Sequence, residues 1–356
     1  MRSMRLLSLT LVSIIGLILA ACAAPAAAPA DSGSTMADSA EEGDSEAMAD
    51  SAEMDGGDVI VGLITKTETN PFFVKMREGA QAKADELGAT LMTAAGTFDG
   101  DNESQITAIE NMVNAGAQAI LLVPSDTTAI VPAVEKAREA GTIVIALDTP
   151  TDPEDATNAL FATDNFQAGI LIGQYAKGVM GDEEPIIAMM DLNPGITVGD
   201  LRHNGFLEGF GISQDDPAIV CEEFTQGDQT KGQTAMENCL QANPDINLVY
   251  TINEPAAFGA YTAIENAGRA GEVTIVSVDG GCAGVRAVED GRIAATSQQY
   301  PLLMASMGVE TAVAVAGGAE APTGYTDTGV TLITGSPVDG LESEDVQFGL
   351  DSCWGE

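Results

Sequence analysis

Basic residues are scarce in this chain. Lys and Arg total 14 against 54 Asp and Glu, for a formal charge of −40. With no basic footprint for a phosphate backbone, nucleic acid is not a partner, and the acidity reads as solubility outside the cell. His203 is the only histidine. It has no Cys or carboxylate cluster at ligand spacing, which argues against a metal centre. It also leaves Cys282 without a nearby base, which argues against a cysteine nucleophile. Trp354, at the tail, is the only tryptophan, whereas a glycoside hydrolase, the rival class for a carboxylate-rich chain, would line its cleft with Trp and Tyr. Gly280-Gly281 with Gly284 is followed by no Lys-Ser/Thr, so it is not a phosphate loop. No cofactor is expected.

A long apolar run occurs at the N-terminus. Arg2 and Arg5 precede an apolar stretch over 6–20, the pattern of a secretory signal spanning 1–21. Leu19-Ala20-Ala21-Cys22 resembles a bacterial lipobox, which implies cleavage before Cys22 and lipidation of that cysteine. Residues 22–57 are Ala, Pro, Ser, Asp, Glu, Gly and Met, with Met-Ala-Asp-Ser-Ala-Glu at 36–41 and again at 48–53. Such a stretch buries too little apolar surface to offset chain entropy and is expected to be disordered. As a flexible leash it would reach about 30–36 Å from a lipid anchor. No later segment is apolar enough to span a bilayer.

From residue 58 onward, short apolar runs alternate with helix-like stretches. The runs lie at 59–64, 89–95, 119–124, 142–148 and 159–163, then at 185–190, 218–224, 248–253, 273–279 and 294–299. Several intervening stretches end at glycine, as at Gly88, Gly116, Gly141 and Gly268, a helix C-cap signal. This rhythm predicts an α/β chain with doubly wound parallel sheets, and two groups of strands predict two similar lobes.

In open parallel sheets, ligands bind where strands end and helices begin. The first such junction is the richest. Its apolar run ends in the loop 65–70; Asn70 then suits an N-cap and Pro71 a first helical position. Phe72 and Phe73 follow, and successive helical side chains diverge by roughly 100°, so two rings can wall a cleft beside the Asn70 amide. A sugar stacks its C–H face on such a ring while its hydroxyls take polar partners. Other runs close on polar residues too: Asp148, Asn253, Asp279 and the pair Gln298-Gln299. Singly these are ordinary helix caps; together with Asn70 they exceed what capping needs.

Seven motifs in this order carry a family resemblance: Asn70-Pro-Phe-Phe, Pro124-Ser-Asp, Leu147-Asp148, Arg202-His-Asn-Gly-Phe, Asn253-Glu, Val278-Asp279-Gly and Ala295-Thr-Ser-Gln-Gln299. From about 59 to 333 the chain resembles the periplasmic sugar-binding proteins of ABC importers, the ribose-binding-like group with the type I periplasmic binding fold. The wording around residues 62–73, with Thr-Ile-Asn-Glu-Pro-Ala-Ala and Ser-Val-Asp-Gly-Gly-Cys, is most similar to fructose-binding members. The resemblance implies that Phe72 and Phe73 stack on the sugar. It implies that Asn70, Asp148, Arg202, Asn253, Asp279 and Gln299 hydrogen-bond its hydroxyls. Lys66, Asp126, Gln298 and His203 are further rim candidates. Ribose binders often carry Arg directly after the aspartate at position 148; here Thr149 stands there.

The same resemblance implies two lobes, 58–163 plus 300–333 and 164–299 plus 334–356, joined by crossovers near 163–165, 298–301 and 331–335 and closing over the sugar. It implies a monomeric, non-enzymatic subunit that delivers a monosaccharide, fructose foremost, to a membrane ABC permease. Presentation to a chemoreceptor or kinase is the alternative, as are ribose, xylose or another monosaccharide. A transcriptional regulator of related fold is set aside by the export signal and the lack of a helix-turn-helix. With Cys22 lipidated, the four remaining cysteines allow three pairings. Cys221 with Cys239 and Cys282 with Cys353 are expected, free thiols being the alternative.

Overall fold

The computed structural model describes residues 59–355. The expected signal, the lipidated Cys22 and the acidic leash all lie outside the described residues. Among the described residues no helix is long and apolar enough to cross a membrane.

Two six-stranded sheets organise the chain. The first holds β1 (Ile60–Thr65), β2 (Thr90–Ala95), β3 (Ala119–Leu122), β4 (Ile143–Leu147), β5 (Ala159–Ala162) and, late in the chain, β11 (Gly324–Asp327). The second holds β6 (Ile187–Asp191), β7 (Ile219–Phe224), β8 (Leu248–Thr251), β9 (Thr274–Asp279), β10 (Ala295–Gln298) and β12 (Thr331–Thr334). Their orders, β11-β5-β4-β3-β1-β2 and β12-β10-β9-β8-β6-β7, are the same topology used twice. Every pairing in the first sheet is parallel, and the second differs only in an antiparallel edge, β12 on β10. The helices are α1 (Pro71–Leu87), α2 (Asn102–Asn114), α3 (Val131–Glu139), α4 (Asn165–Met180), α5 (Thr197–Phe210), α6 (Gln229–Ala242), α7 (Glu254–Asn266), α8 (Cys282–Glu289), α9 (Pro301–Ala316) and α10 (Val346–Ser352).

Strand β1 shows why the apolar runs become central strands. Val61, Leu63 and Ile64 are wholly buried, with helices on both faces of the sheet. Each such side chain contributes about 1.5–3 kcal/mol by leaving water. Gly62 is small because α2 sits directly on it: an added Cβ would meet the Met112 sulfur at 2.4 Å.

The chain passes between lobes three times, at 163–164, at 299–300 and at 328–330. The third differs from expectation: residues 331–334 are not a crossover but β12, paired with β10, so 331–333 belong to the second sheet. The short β11, which precedes the crossing on the edge of the first sheet, carries no apolar run to announce it. The crossings are laced together. Thr163 Oγ1 donates to the Gly329 carbonyl at 3.1 Å, and the Tyr300 and Thr331 hydroxyls lie 2.8 Å apart.

Both expected disulfides are present. Cys221 on β7 joins Cys239 on α6, and Cys282 at the start of α8 joins Cys353 in the tail.

Candidate functional site

The crevice lies between the C-terminal ends of the two sheets, where residues from both lobes line one cavity. The first junction folds as its residues dictate. Asn70 is extended (φ −72°, ψ 124°) and its side-chain oxygen accepts from the Phe72 N–H at 3.0 Å, while Pro71 opens α1. The cap turns Phe72 and Phe73 inward. Their rings meet edge to face, 5.4 Å apart at 87°, so they present two differently oriented apolar walls.

Arg202 enters from α5, in its second turn rather than at a helix start. Its reach depends on how closely α4 and α5 approach. A Cβ on Gly169 would lie 2.2 Å from the Arg202 carbonyl, and one on Gly205 would lie 2.2 Å from the Phe166 carbonyl. Only glycine permits this backbone contact. It sets Arg202 beside Asn165, the first residue of α4, whose Oδ1 accepts from Arg202 Nε at 2.7 Å. Nη1 donates to the Ile252 carbonyl at 3.0 Å. The guanidinium then lies between two carboxylates, 3.7 Å from Asp148 of the first lobe and 3.8 Å from Asp279 of the second.

Both aspartates hold left-handed backbone, φ 61° at Asp148 and φ 139° at Asp279. Such conformations cost about 1–3 kcal/mol and collect at binding sites. Asp148 Oδ2 accepts from the Thr149 hydroxyl at 2.8 Å. Asp279 Oδ1 accepts from Gln299 Nε2 at 3.0 Å, and its other oxygen accepts from the Glu254 N–H at 3.3 Å. Burial pushes the Asp279 carboxyl up to about 7 against the pull of Arg202.

Three acceptors on this wall are buried with no hydrogen-bond partner: Asp99 Oδ1, Asp148 Oδ1 and Gln299 Oε1. Leaving such a group unsatisfied costs about 1–3 kcal/mol, so a donor from outside the protein would be stabilised at these three atoms. Lys66, only 1% exposed, stands 3.8 Å from Asp99. Burial holds the Asp99 carboxyl above its ordinary range, with Lys66 opposing. Across the mouth, Thr127 Oγ1 donates to the Gly195 carbonyl at 3.1 Å and ties one lobe to the other.

All eight residues expected at the sugar line this cavity: Asn70, Phe72, Phe73, Asp148, Arg202, Asn253, Asp279 and Gln299. Lys66 joins them. Asn253 also caps α7, its oxygen accepting from Ala256 N–H and its amide donating to the Gly227 carbonyl, so much of its capacity is used locally. Three rim candidates do not reach the cavity. Asp126 turns back to accept from the backbone of Thr128 and Ala129. Gln298 points along the other face of β10 and donates to the Gly280 and Gly349 carbonyls. His203 faces away, its Nδ1 3.0 Å from Asp191 and its Nε2 against Gln214.

Asp99, Asn165 and Glu254 complete the surroundings without a strand-end signal of their own. Asp99 lies in the loop after β2. Glu254 is buried behind Asp279; its carboxylate accepts from the N–H groups of Gly280 and Gly281 and from Thr296 Oγ1, and so fixes the turn that carries Asp279. Its presence in Asn253-Glu was visible, its role was not. Among the described residues no group of three or more His, Cys, Asp or Glu is placed to hold a metal ion.

A wider cleft of about 580 Å³ opens from this cavity and shares Asn70, Phe73, Asp99 and Asp279 with it. Trp354, Phe258 and the half-exposed Phe98 form its apolar walls.

The family model described as periplasmic binding protein domain matches residues 61–320. Over 254 residues the chain is 32% identical to the ribose import binding protein of Salmonella typhimurium, covering 71% of this chain and 83% of that protein. Among solved structures, it is similar to an ABC transporter periplasmic solute binding protein from Actinobacillus succinogenes with bound D-allose. That match has a TM-score of 0.70 and 28% identity, and covers 78% of this chain and 97% of the other. A solute binding protein from Agrobacterium vitis with bound D-fucose matches with a TM-score of 0.72 and 30% identity, over 79% of this chain and 97% of the other.

Proposed function

The chain belongs to the periplasmic binding protein family, among its ribose-binding-like sugar binders of ABC importers, and we propose that the sugar it captures is a monosaccharide, fructose foremost. It is an extracytoplasmic binding protein and not an enzyme. The three partnerless acceptors in the cavity carry the proposal. A neutral polyol answers them, because each hydroxyl donates one hydrogen and accepts others. Phe72 and Phe73 take its C–H faces. Asn70 and Gln299 supply amides, and Arg202 supplies donors fixed by Asn165. Asp148 and Asp279 accept with charge assistance, the stronger kind of hydrogen bond. Asn253 completes the rim.

Three carboxylates, Asp99, Asp148 and Asp279, stand against Arg202 and Lys66, and burial pushes Asp99 and Asp279 toward their neutral forms, which suits a neutral ligand. Thr149 occupies the position where ribose binders often have Arg, which supports a ligand other than ribose. The lobes close over the sugar about the three crossings, and the closed form is what the permease engages. Lipidation at Cys22 would hold this monomer at the membrane.

A thermal-shift panel of fructose, ribose, xylose, glucose, galactose and myo-inositol tests the substrate. A sugar at about 100 times its dissociation constant adds about 2.7 kcal/mol to stability. Fructose should give the largest shift; ribose raising the melting temperature while fructose does not would overturn the assignment.

A further inference from the structure

The segment that follows α10 packs behind the site. After α10, Cys353 is bonded to Cys282 with Cα atoms 4.9 Å apart, and the Cys282 N–H donates to the Trp354 carbonyl at 2.9 Å. The backbone of Trp354 is therefore anchored to the second lobe. Its ring reaches across to the first lobe: Trp354 is 5% exposed and belongs to the core cluster that holds Phe72, Phe73 and Met304. The indole meets Phe72 edge to face, 5.3 Å away at 81°. Nε1–H donates to the Gln299 carbonyl at 2.9 Å. Beneath it lies Gly281, where an added Cβ would come within 3.3 Å of the indole ring.

Both partners of the indole are residues of the sugar cavity. Phe72 lines the cavity and meets both Phe73 and Trp354 in edge-to-face pairs. Gln299, one crossing between lobes, has its carbonyl fixed by the indole and its side chain on Asp279. A stacking ring contributes most when it is already held in its binding orientation, because ordering it on binding costs affinity.

We propose that Trp354 is a positioning residue of the sugar site, holding Phe72 and Gln299 from behind, and that the Cys282–Cys353 disulfide keeps it there. This rests on the reading of Phe72 as the ring that stacks on the sugar. The tail thus links the lobes in addition to the three crossings, and the disulfide matters to binding as well as to stability.

The test is calorimetric titration with the sugar selected by the thermal-shift panel. Trp354→Ala weakens binding about 2- to 10-fold, the range carried by one edge-to-face aromatic pair, and Trp354→Phe restores most of it. In a Phe72→Ala background, Trp354→Ala adds a smaller further loss than in the wild type, because one of the two groups that the indole holds is already removed and only its bond to the Gln299 carbonyl remains to be lost. A purely structural role would lower the melting temperature in both backgrounds and leave affinity alone. Cys282→Ser with Cys353→Ser releases the tail: emission from the sole tryptophan shifts to the red and affinity falls as in Trp354→Ala. Should Trp354→Ala not fold, this double variant decides. Red-shifted emission with wild-type affinity overturns the proposal, and unshifted emission overturns the role of the disulfide. Wild-type affinity in Trp354→Ala also overturns it while leaving the sugar-binding assignment intact. A wild-type protein that binds no sugar in the panel overturns both.

Discussion

Arg202 Nη2 lies 3.7 Å from Asp148 Oδ1, and the two residues belong to different lobes. The distance is too long for a hydrogen bond and short enough for strong attraction. Asp148 Oδ1 has no other partner. The pair is set so that a hydroxyl entering the cavity can accept from the guanidinium and donate to the carboxylate.

Replacing Arg202 removes that clamp. Arg202→Met is expected to weaken sugar binding by about 10- to 150-fold, the worth of one charge-assisted hydrogen bond at ~1.5–3 kcal/mol. Calorimetry reads the loss. Arg202→Lys should not recover it, since an ammonium cannot reach Asn165, Asp148 and Asp279 from one planar fork.

The approach of α4 to α5 sets where Arg202 stands. Gly169→Ala places a methyl 2.2 Å from the Arg202 carbonyl. The helices must part, at a cost of about 1–3 kcal/mol. The melting temperature and the sugar affinity should fall together. Gly116→Ala is a contrasting case: it meets nothing within 4 Å, but its φ of 83° disfavours alanine. Stability should fall there with affinity unchanged.

His203 is a stabilising group outside the site. Burial opposes its charged form, but hydrogen bonding and charge from Asp191, with Gln214 and Glu222, outweigh burial and raise its pKa to about 9. Its ordinary value is 6.5. A histidine whose folded pKa is raised contributes fully below the unfolded value and loses that contribution as pH rises through the folded one. Wild-type stability should therefore decline between pH 6.5 and about 9 more steeply than that of His203→Gln, as denaturant titrations at several pH values would show.

The Cys221–Cys239 disulfide closes a loop of 18 residues between β7 and α6, away from the cavity. Replacing both cysteines by serine should cost about 3 kcal/mol of stability. Affinity should not change, in contrast to the expected effect of breaking Cys282–Cys353.

Much of the architecture was legible because parallel strands buried on both faces read as unbroken apolar runs, and the polar residue that ends each run marks the ligand edge of the sheet. That signal points to Asp148, Asn253, Asp279 and Gln299, and cap chemistry to Asn70, all of which line the cavity. The first-lobe set and the second-lobe set meet only because the same topology occurs twice with its strand ends facing. Asp99 escaped because it sits in a polar loop where any aspartate looks solvated. Asn165 read as a crossing residue; that it orients Arg202 depends on helix packing through Gly169 and Gly205, which local patterns do not encode. β12 reads as a crossing because four residues on a sheet edge carry too little periodicity. Asp126, Gln298 and His203 lay near the right loops, but their side-chain directions depend on partners distant in sequence.

The most direct measurement is the crystal structure of the protein bound to fructose. The sugar ring is expected against Phe72 and Phe73, with hydroxyls within about 3.2 Å of Asp99 Oδ1, Asp148 Oδ1 and Gln299 Oε1. A sugar seated elsewhere, with those three acceptors still without partners, would contradict it.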